Sequence, residues 1–135
     1  MPRVIVDTNI FISALLGGTV AQKLVEALTS SKFQLITSQT FLAELIETAR
    51  DKELSALISE EDLTELIHLI VERGLFVKPT HPINSCRDPK DNFILEVAVT
   101  GRAHVILTHD KDLRVLDPFQ NITITRPKEF LDSLT

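Results

Sequence analysis

Short runs that are apolar throughout alternate along the chain with longer stretches whose apolar residues recur every three or four positions. Arg3–Val6 is short, apolar and β-branched, the signature of a buried strand. Val20–Ser30 places Val20, Ala21, Leu24, Val25 and Leu28 at helical spacing. Phe33–Thr37 predicts a second strand. Ser38 is positioned to cap a helix in which Phe41, Leu42, Leu45, Ile46 and Ala49 share one face. Ser59-Glu60-Glu61-Asp62 has the form of a capping box ahead of Leu63, Leu66, Ile67 and Ile70. Gly74 ends that helix, and Leu75–Lys78 predicts a third strand. Two prolines and no periodicity make His81–Pro89 a loop. Asp91–Thr100 returns to helix and stops at Gly101. Val105–Leu107 predicts a further buried strand, Ile122–Thr125 a short edge strand, and Pro127–Leu134 a terminal helix opening on proline.

Strands alternating with helices predict an α/β protein, a three-layer α/β/α sandwich around a mostly parallel sheet. The stretch Ser38–Arg73 is expected to form one side of it or a protruding arm. With 135 residues and no repeat or linker, residues 1–135 are expected to be a single domain. No apolar run is long enough to span a bilayer, and with strand-like sequence from Arg3 no signal peptide is expected. Cys86 is the single cysteine, which excludes an intrachain disulfide and fits a reducing cytoplasm; free cysteine is usually a small buried hydrophobe. The net charge is −5, whereas most nucleic-acid binders carry a basic excess. That objection weakens if the acids are gathered around cations, which invert the local field.

The acids fall at telling places. In VIVDTNIFIS, Asp7 stands just past the first strand, between two apolar runs where an unpaired carboxylate is costly. Asp110 and Asp112 stand just past Val105–Leu107, in VILTHDKDL. Open parallel sheets bind ligands beyond the carboxyl ends of their strands, so these acids share one edge if the strands are parallel. Glu44 lies early in the helix after the second strand, and Asp88 and Asp91, in CRDPKDNF, open another helix. Gathered carboxylates repel one another and need protons or cations. An oxygen-only set suits Mg²⁺ or Mn²⁺, ions that bind phosphates and assist phosphodiester hydrolysis. Aspartate also caps helices and shapes loops, so each acid taken singly has a local use.

The segments VDTNIFIS, FLAEL, RDPKDNFILEVAV and VILTHDKDL, in this order, resemble the PIN-domain ribonucleases over essentially the whole chain. The resemblance implies a PIN-like α/β/α fold, an acidic pocket for Mg²⁺ or Mn²⁺, and cleavage of RNA. It assigns catalytic and metal-binding roles to Asp7, Glu44, Asp91 and Asp110, with Asp112 as a further acid and Asn9 and Thr108 as supporting polar positions. Asp91 fits its role better than Asp88 because it opens the apolar helical stretch. Within the family the chain looks most like toxins of toxin–antitoxin pairs, which implies a small antitoxin partner and a dimer. Leu63, Leu66, Ile67 and Ile70 on the expected arm would supply apolar surface for that homodimer.

Lys90, Lys111 and Arg114 flank the acidic segments and are candidate phosphate contacts that position RNA rather than read it. Arg102 and His109 are weaker candidates of the same kind. With phenylalanine as the only aromatic type, extensive base stacking is not expected. No Ser-His-Asp or Cys-His arrangement is apparent for a covalent nucleophile. A haloacid-dehalogenase-type phosphatase also opens on a strand-end aspartate, but it needs a second acid two residues on, and Asn9 stands there. The remaining rival is a catalytically inactive PIN-like or receiver-like domain that binds Mg²⁺ and acts by binding protein or RNA.

Overall fold

The computed structural model describes residues 1–80 and 82–134. In chain order they form β1 (Arg3–Val6), α1 (Thr8–Leu15), α2 (Thr19–Thr29), β2 (Gln34–Thr37), α3 (Gln39–Ala49), α4 (Lys52–Ser55), α5 (Glu60–Arg73), β3 (Gly74–Phe76), α6 (Pro89–Thr100), β4 (Val105–Leu107), α7 (Lys111–Arg114), β5 (Thr123–Thr125) and α8 (Pro127–Ser133). Residues 82–88 are irregular, as the prolines predict; His81, the first residue of the expected loop, lies outside the described residues.

The five strands form one sheet in the order β3-β2-β1-β4-β5, with every pairing parallel. Parallel sheets are covered on both faces, which is why their strands are apolar throughout rather than alternating. Val4 and Val6 enter one core with Leu35 and Leu107. Ile5 enters the other with Ile36, Ile106 and Ile124. The first core is filled from α1, α2 and α5, together with Phe130 of α8. The second is filled by Leu95, Val97 and Ala98 of α6 and Leu113 of α7. The result is the α/β/α sandwich with its strands running one way. Gly101 lets α6 end close against the sheet, since a Cβ there would lie 2.5 Å from Ile36 Cγ2.

Of the two expectations for the stretch Ser38–Arg73, it forms part of one side of the sandwich and not a protruding arm. It divides into α3, α4 and α5, each with its own side-chain cap: Ser38 Oγ accepts from Phe41 N, Asp51 Oδ1 from Glu53 N, and Ser59 Oγ from Asp62 N. The chain turns back so that Leu63, Leu66 and Ile70 are only 1%, 6% and 2% exposed. They lie in the chain's own first core, with Ile67 partly buried against it. The apolar surface expected to bind a second copy is therefore spent inside the protomer. An amphipathic pattern says that a face is covered, not by what. No single helix among the described residues is long and apolar enough to cross a membrane. The pair α1 and α2 together has the length and apolar composition but is bent through 105°, and it buries Ile10, Phe11, Leu24 and Leu28 in the core.

Candidate metal centre

The strand order reverses at β1, which has β2 on one side and β4 on the other. Such a switch point opens a crevice at the carboxyl edge of the sheet. Val6 is in register with Leu107, and Asp7 N donates to Leu107 O at 3.0 Å. The last residues of β1 and β4 are thereby locked together, and the residues that follow them emerge side by side.

Thr108 couples the two emerging segments. It is fully buried. Its Oγ1 donates to Asp7 Oδ2 at 2.8 Å and accepts from Asp110 N at 3.1 Å. Asp7 also caps α1, with Oδ1 accepting from Asn9 N at 3.1 Å. Asp110 caps α7 in the same way, with Oδ1 accepting from Asp112 N at 2.9 Å. Both strand-end acids thus have the local use that aspartate commonly serves, and each carboxylate still has lone pairs to offer. Asn9 contributes its backbone, while its side chain is exposed.

Asp88 and Asp91 part company in the structure. Asp88 is exposed and caps α6, accepting from Lys90 N at 2.9 Å. Asp91, the third residue of α6, is only 7% exposed. It lies with Asp110 and Asp112, and one carboxylate oxygen from each falls within 4.8 Å of the other two. Burial, reinforced by the negative charge of Asp110 and Asp88, pushes Asp91 from the ordinary aspartate range up to about 6. Carboxylates crowded in this way favour protons or a cation over an empty, fully charged state.

The donor set fits a hard divalent ion. It consists of oxygen alone, and opposite ligands of a six-coordinate Mg²⁺ lie roughly 4 Å apart. Three carboxylates within 4.8 Å need little adjustment to close around such an ion. Asp7 and Glu44 are not members of this trio. Asp7 adjoins it through Thr108, and Glu44 on α3 faces Asp7 across a cleft of about 560 Å³ that Lys90 also lines. Lys111 is exposed at the start of α7, whereas Arg114 is half-buried and directs Nη2 toward His109 O at 3.5 Å.

Two features escaped the sequence. Cys86 is half-buried close enough to the acids for them to reinforce burial in pushing its thiol up, in the order Asp91, Asp110, Asp112 and Asp88. Its backbone is pinned by Asn92, which accepts from Cys86 N at 2.8 Å and donates to Cys86 O at 2.9 Å. The loop before α6 has no periodicity that would have revealed this. Glu47 and Phe93 also line the cleft with Glu44. Here a signal existed, because Glu47 follows Glu44 by three residues and shares its helix face.

Residues 3–112 match the family model for the PIN domain, a span that runs from β1 through Asp112 and contains every acid described above. An uncharacterised protein of Methanocaldococcus jannaschii, MJ1680, is 27% identical over 140 residues, covering 96% of this chain and 90% of that protein. An all-parallel five-stranded sheet between helical layers, with an acidic cluster at its switch point and a family match over most of its length, establishes that the chain belongs to the PIN-domain nuclease family.

Proposed function

We propose that this protein is a Mg²⁺- or Mn²⁺-dependent endoribonuclease and acts as the toxin of a toxin–antitoxin pair in the cytoplasm. The observation that carries the catalytic part is the convergence of Asp91, Asp110 and Asp112 within 4.8 Å, with Asp7 held beside them by Thr108. PIN domains are generally metal-dependent nucleases, and these residues supply what such chemistry requires.

In this reading Asp91, Asp110 and Asp112 hold the cation, with Asp7 and Glu44 engaging it directly or through water. When bound, the ion assists attack of water on phosphorus and steadies the leaving oxygen. The protein's own residues do the positioning. Thr108 fixes the Asp7 carboxylate by its 2.8 Å donation and fixes the Asp110 backbone by accepting from it. The caps on α1 and α7 hold both acids in place before substrate arrives, so little reorganisation is left for the reaction. Lys90 and Lys111 flank the acids and offer ammonium groups to the RNA backbone, which orients the strand without reading its sequence.

The toxin role, a cognate antitoxin and a homodimer rest on the resemblance to PIN-domain toxins. The test begins with purified protein, single-stranded RNA and Mn²⁺, beside Asp7→Asn. Internal cleavage that is abolished by EDTA and by the substitution supports the nuclease; equal activity in Asp7→Asn removes the basis for it. Growth arrest on expression, absent in the same variant, tests the toxin role. Light scattering at micromolar concentration tests the dimer.

A further inference from the structure

The cleft beside the acids is poorly suited to a phosphate. Its volume of about 560 Å³ is in the range of small-ligand sites. Phe41, Phe93 and Ile94 form apolar wall, and the charged groups at its edge are Asp7, Glu44, Glu47 and Lys90. The rings of Phe41 and Phe93 meet edge to face, 5.4 Å apart and at 90°. Phe41 is buried, whereas Phe93 keeps part of its ring open. Away from the acidic centre, a phosphate entering here meets apolar wall and the uncompensated Glu47 carboxylate. A neutral planar ring with N–H donors meets apolar walls and acceptors.

We infer that this cleft seats a guanine base of the RNA, its ring against Phe93 and its N1–H and N2–H₂ edge on the Glu47 carboxylate. The inference rests on the nuclease reading for its ligand and adds the base selected next to the cleaved bond. Continuity with the acidic centre supports it, because Asp7 and Glu44 border the cleft. A base held there leaves its own phosphate near the trio. Glu47 is the acceptor left over: among the described residues neither it nor Glu44 has a hydrogen-bond or ion-pair partner, but the nuclease reading commits Glu44 to the cation, and Asp7 is engaged by Asn9 N and Thr108 Oγ1. Two carboxylate oxygens match two parallel donors. Adenine, cytosine and uracil each set a lone pair or a carbonyl beside their donor, which a carboxylate repels.

Nucleoside monophosphates test this without any bond to cleave. Titrating 5′-GMP and 5′-UMP into the protein with Mg²⁺, followed by backbone amide resonances, is expected to shift residues 43–47 and 90–94. GMP is expected to bind about tenfold more tightly, the discrimination a good bidentate pair provides. Glu47→Gln is expected to erase that preference, weakening GMP by loss of the paired acceptors and relieving the repulsion of UMP. Phe93→Leu is expected to weaken both nucleotides about tenfold by loss of stacking, while Phe93→Tyr retains binding. Should Phe93→Leu fail to fold, the Glu47→Gln result decides. Equal binding of GMP and UMP, shifts confined to residues outside the cleft, or a GMP preference that survives Glu47→Gln would each overturn the assignment. RNA cleavage by the unaltered protein is scored in parallel. Cleavage without guanine preference beside equal GMP and UMP binding removes the base site and spares the nuclease; guanine binding without cleavage does the reverse.

Discussion

Two helices carry an aspartate at the same position and use it differently. Asp62 is the third residue of α5 and Asp91 the third of α6. Both helices open on an N-cap whose side chain accepts a backbone N–H: Ser59 Oγ from Asp62 N in one, Asp88 Oδ1 from Lys90 N in the other. An acid in the first turn favours a helix by interaction with its dipole. Asp62 does this in solvent, beside Glu60 and Glu61. Asp91 is buried among further carboxylates and held up to about 6. Helix formation explains Asp62 completely. It does not explain why a chain would crowd three acids at a strand edge and accept the repulsion. A bound cation does explain it.

The sharpest way to break the comparison is to neutralise each aspartate in turn. Asp91→Asn or Asp110→Asn is expected to lower RNA cleavage in Mn²⁺ by at least about a hundredfold, since each would remove a charge from the proposed cation site. The fold should be kept, as circular dichroism would report. Asp62→Asn should leave kcat/KM within about twofold. Comparable losses in Asp62→Asn and Asp91→Asn would mean that the two positions do not differ in kind.

The pH dependence of stability probes Asp91 without any substrate. The folded-state pKa of Asp91 lies above its unfolded value, so its contribution is fully present below about pH 4 and is lost as pH rises through about 6. A move from the ordinary aspartate range to about 6 is worth on the order of 3 kcal/mol. Metal-free protein is therefore expected to lose stability between pH 4 and 7 in urea unfolding. Asp91→Asn should remove most of that slope. Saturating Mg²⁺ or Mn²⁺ should oppose the loss, by about 2.7 kcal/mol at a hundred times the dissociation constant, and Asp110→Asn should forfeit much of this gain.

How far this contrast was legible beforehand depends on which part of it is local. Arg3–Val6 and Val105–Leu107 were readable to the residue because a strand covered on both faces is apolar without interruption. Asp7 and Asp110 were readable because the carboxyl edge of a parallel sheet follows from strand direction alone. The start of α5 was readable in the Ser59 capping box; the break at Arg50–Asp51 and the short α4 were not, since neither glycine nor proline marks them and Asp51 starts a new helix with a cap that reads like any surface acid. The cover on Leu63, Leu66 and Ile70 was equally hidden, because the same stripe serves a core or a partner. Among the acids, the sequence supplied candidates but not distances. Which three approach within 4.8 Å depends on how the α6 and α7 entrances meet, and that is set by packing between residues far apart in the chain.

The smallest expected effect concerns the caps. Ser59→Ala removes the acceptor for Asp62 N and should cost about 1 kcal/mol of stability, with RNA cleavage unchanged once the protein is folded. Thr108→Val should behave in the opposite sense. It keeps the shape of a buried side chain but strips Asp7 of a 2.8 Å donor and Asp110 N of its acceptor, so cleavage is expected to fall roughly tenfold to a hundredfold, as for outer-shell partners of metal ligands.

Direct metal binding tests the central claim with the fewest assumptions. Mn²⁺ titrated at pH 7.5 and followed by electron paramagnetic resonance reports free ion without RNA or turnover. Saturable binding to the unaltered protein is expected, weakened about tenfold or more by Asp91→Asn and by Asp110→Asn, and left intact by Asp62→Asn. Binding that is absent from the unaltered protein, or equally strong in all three variants, would contradict that claim.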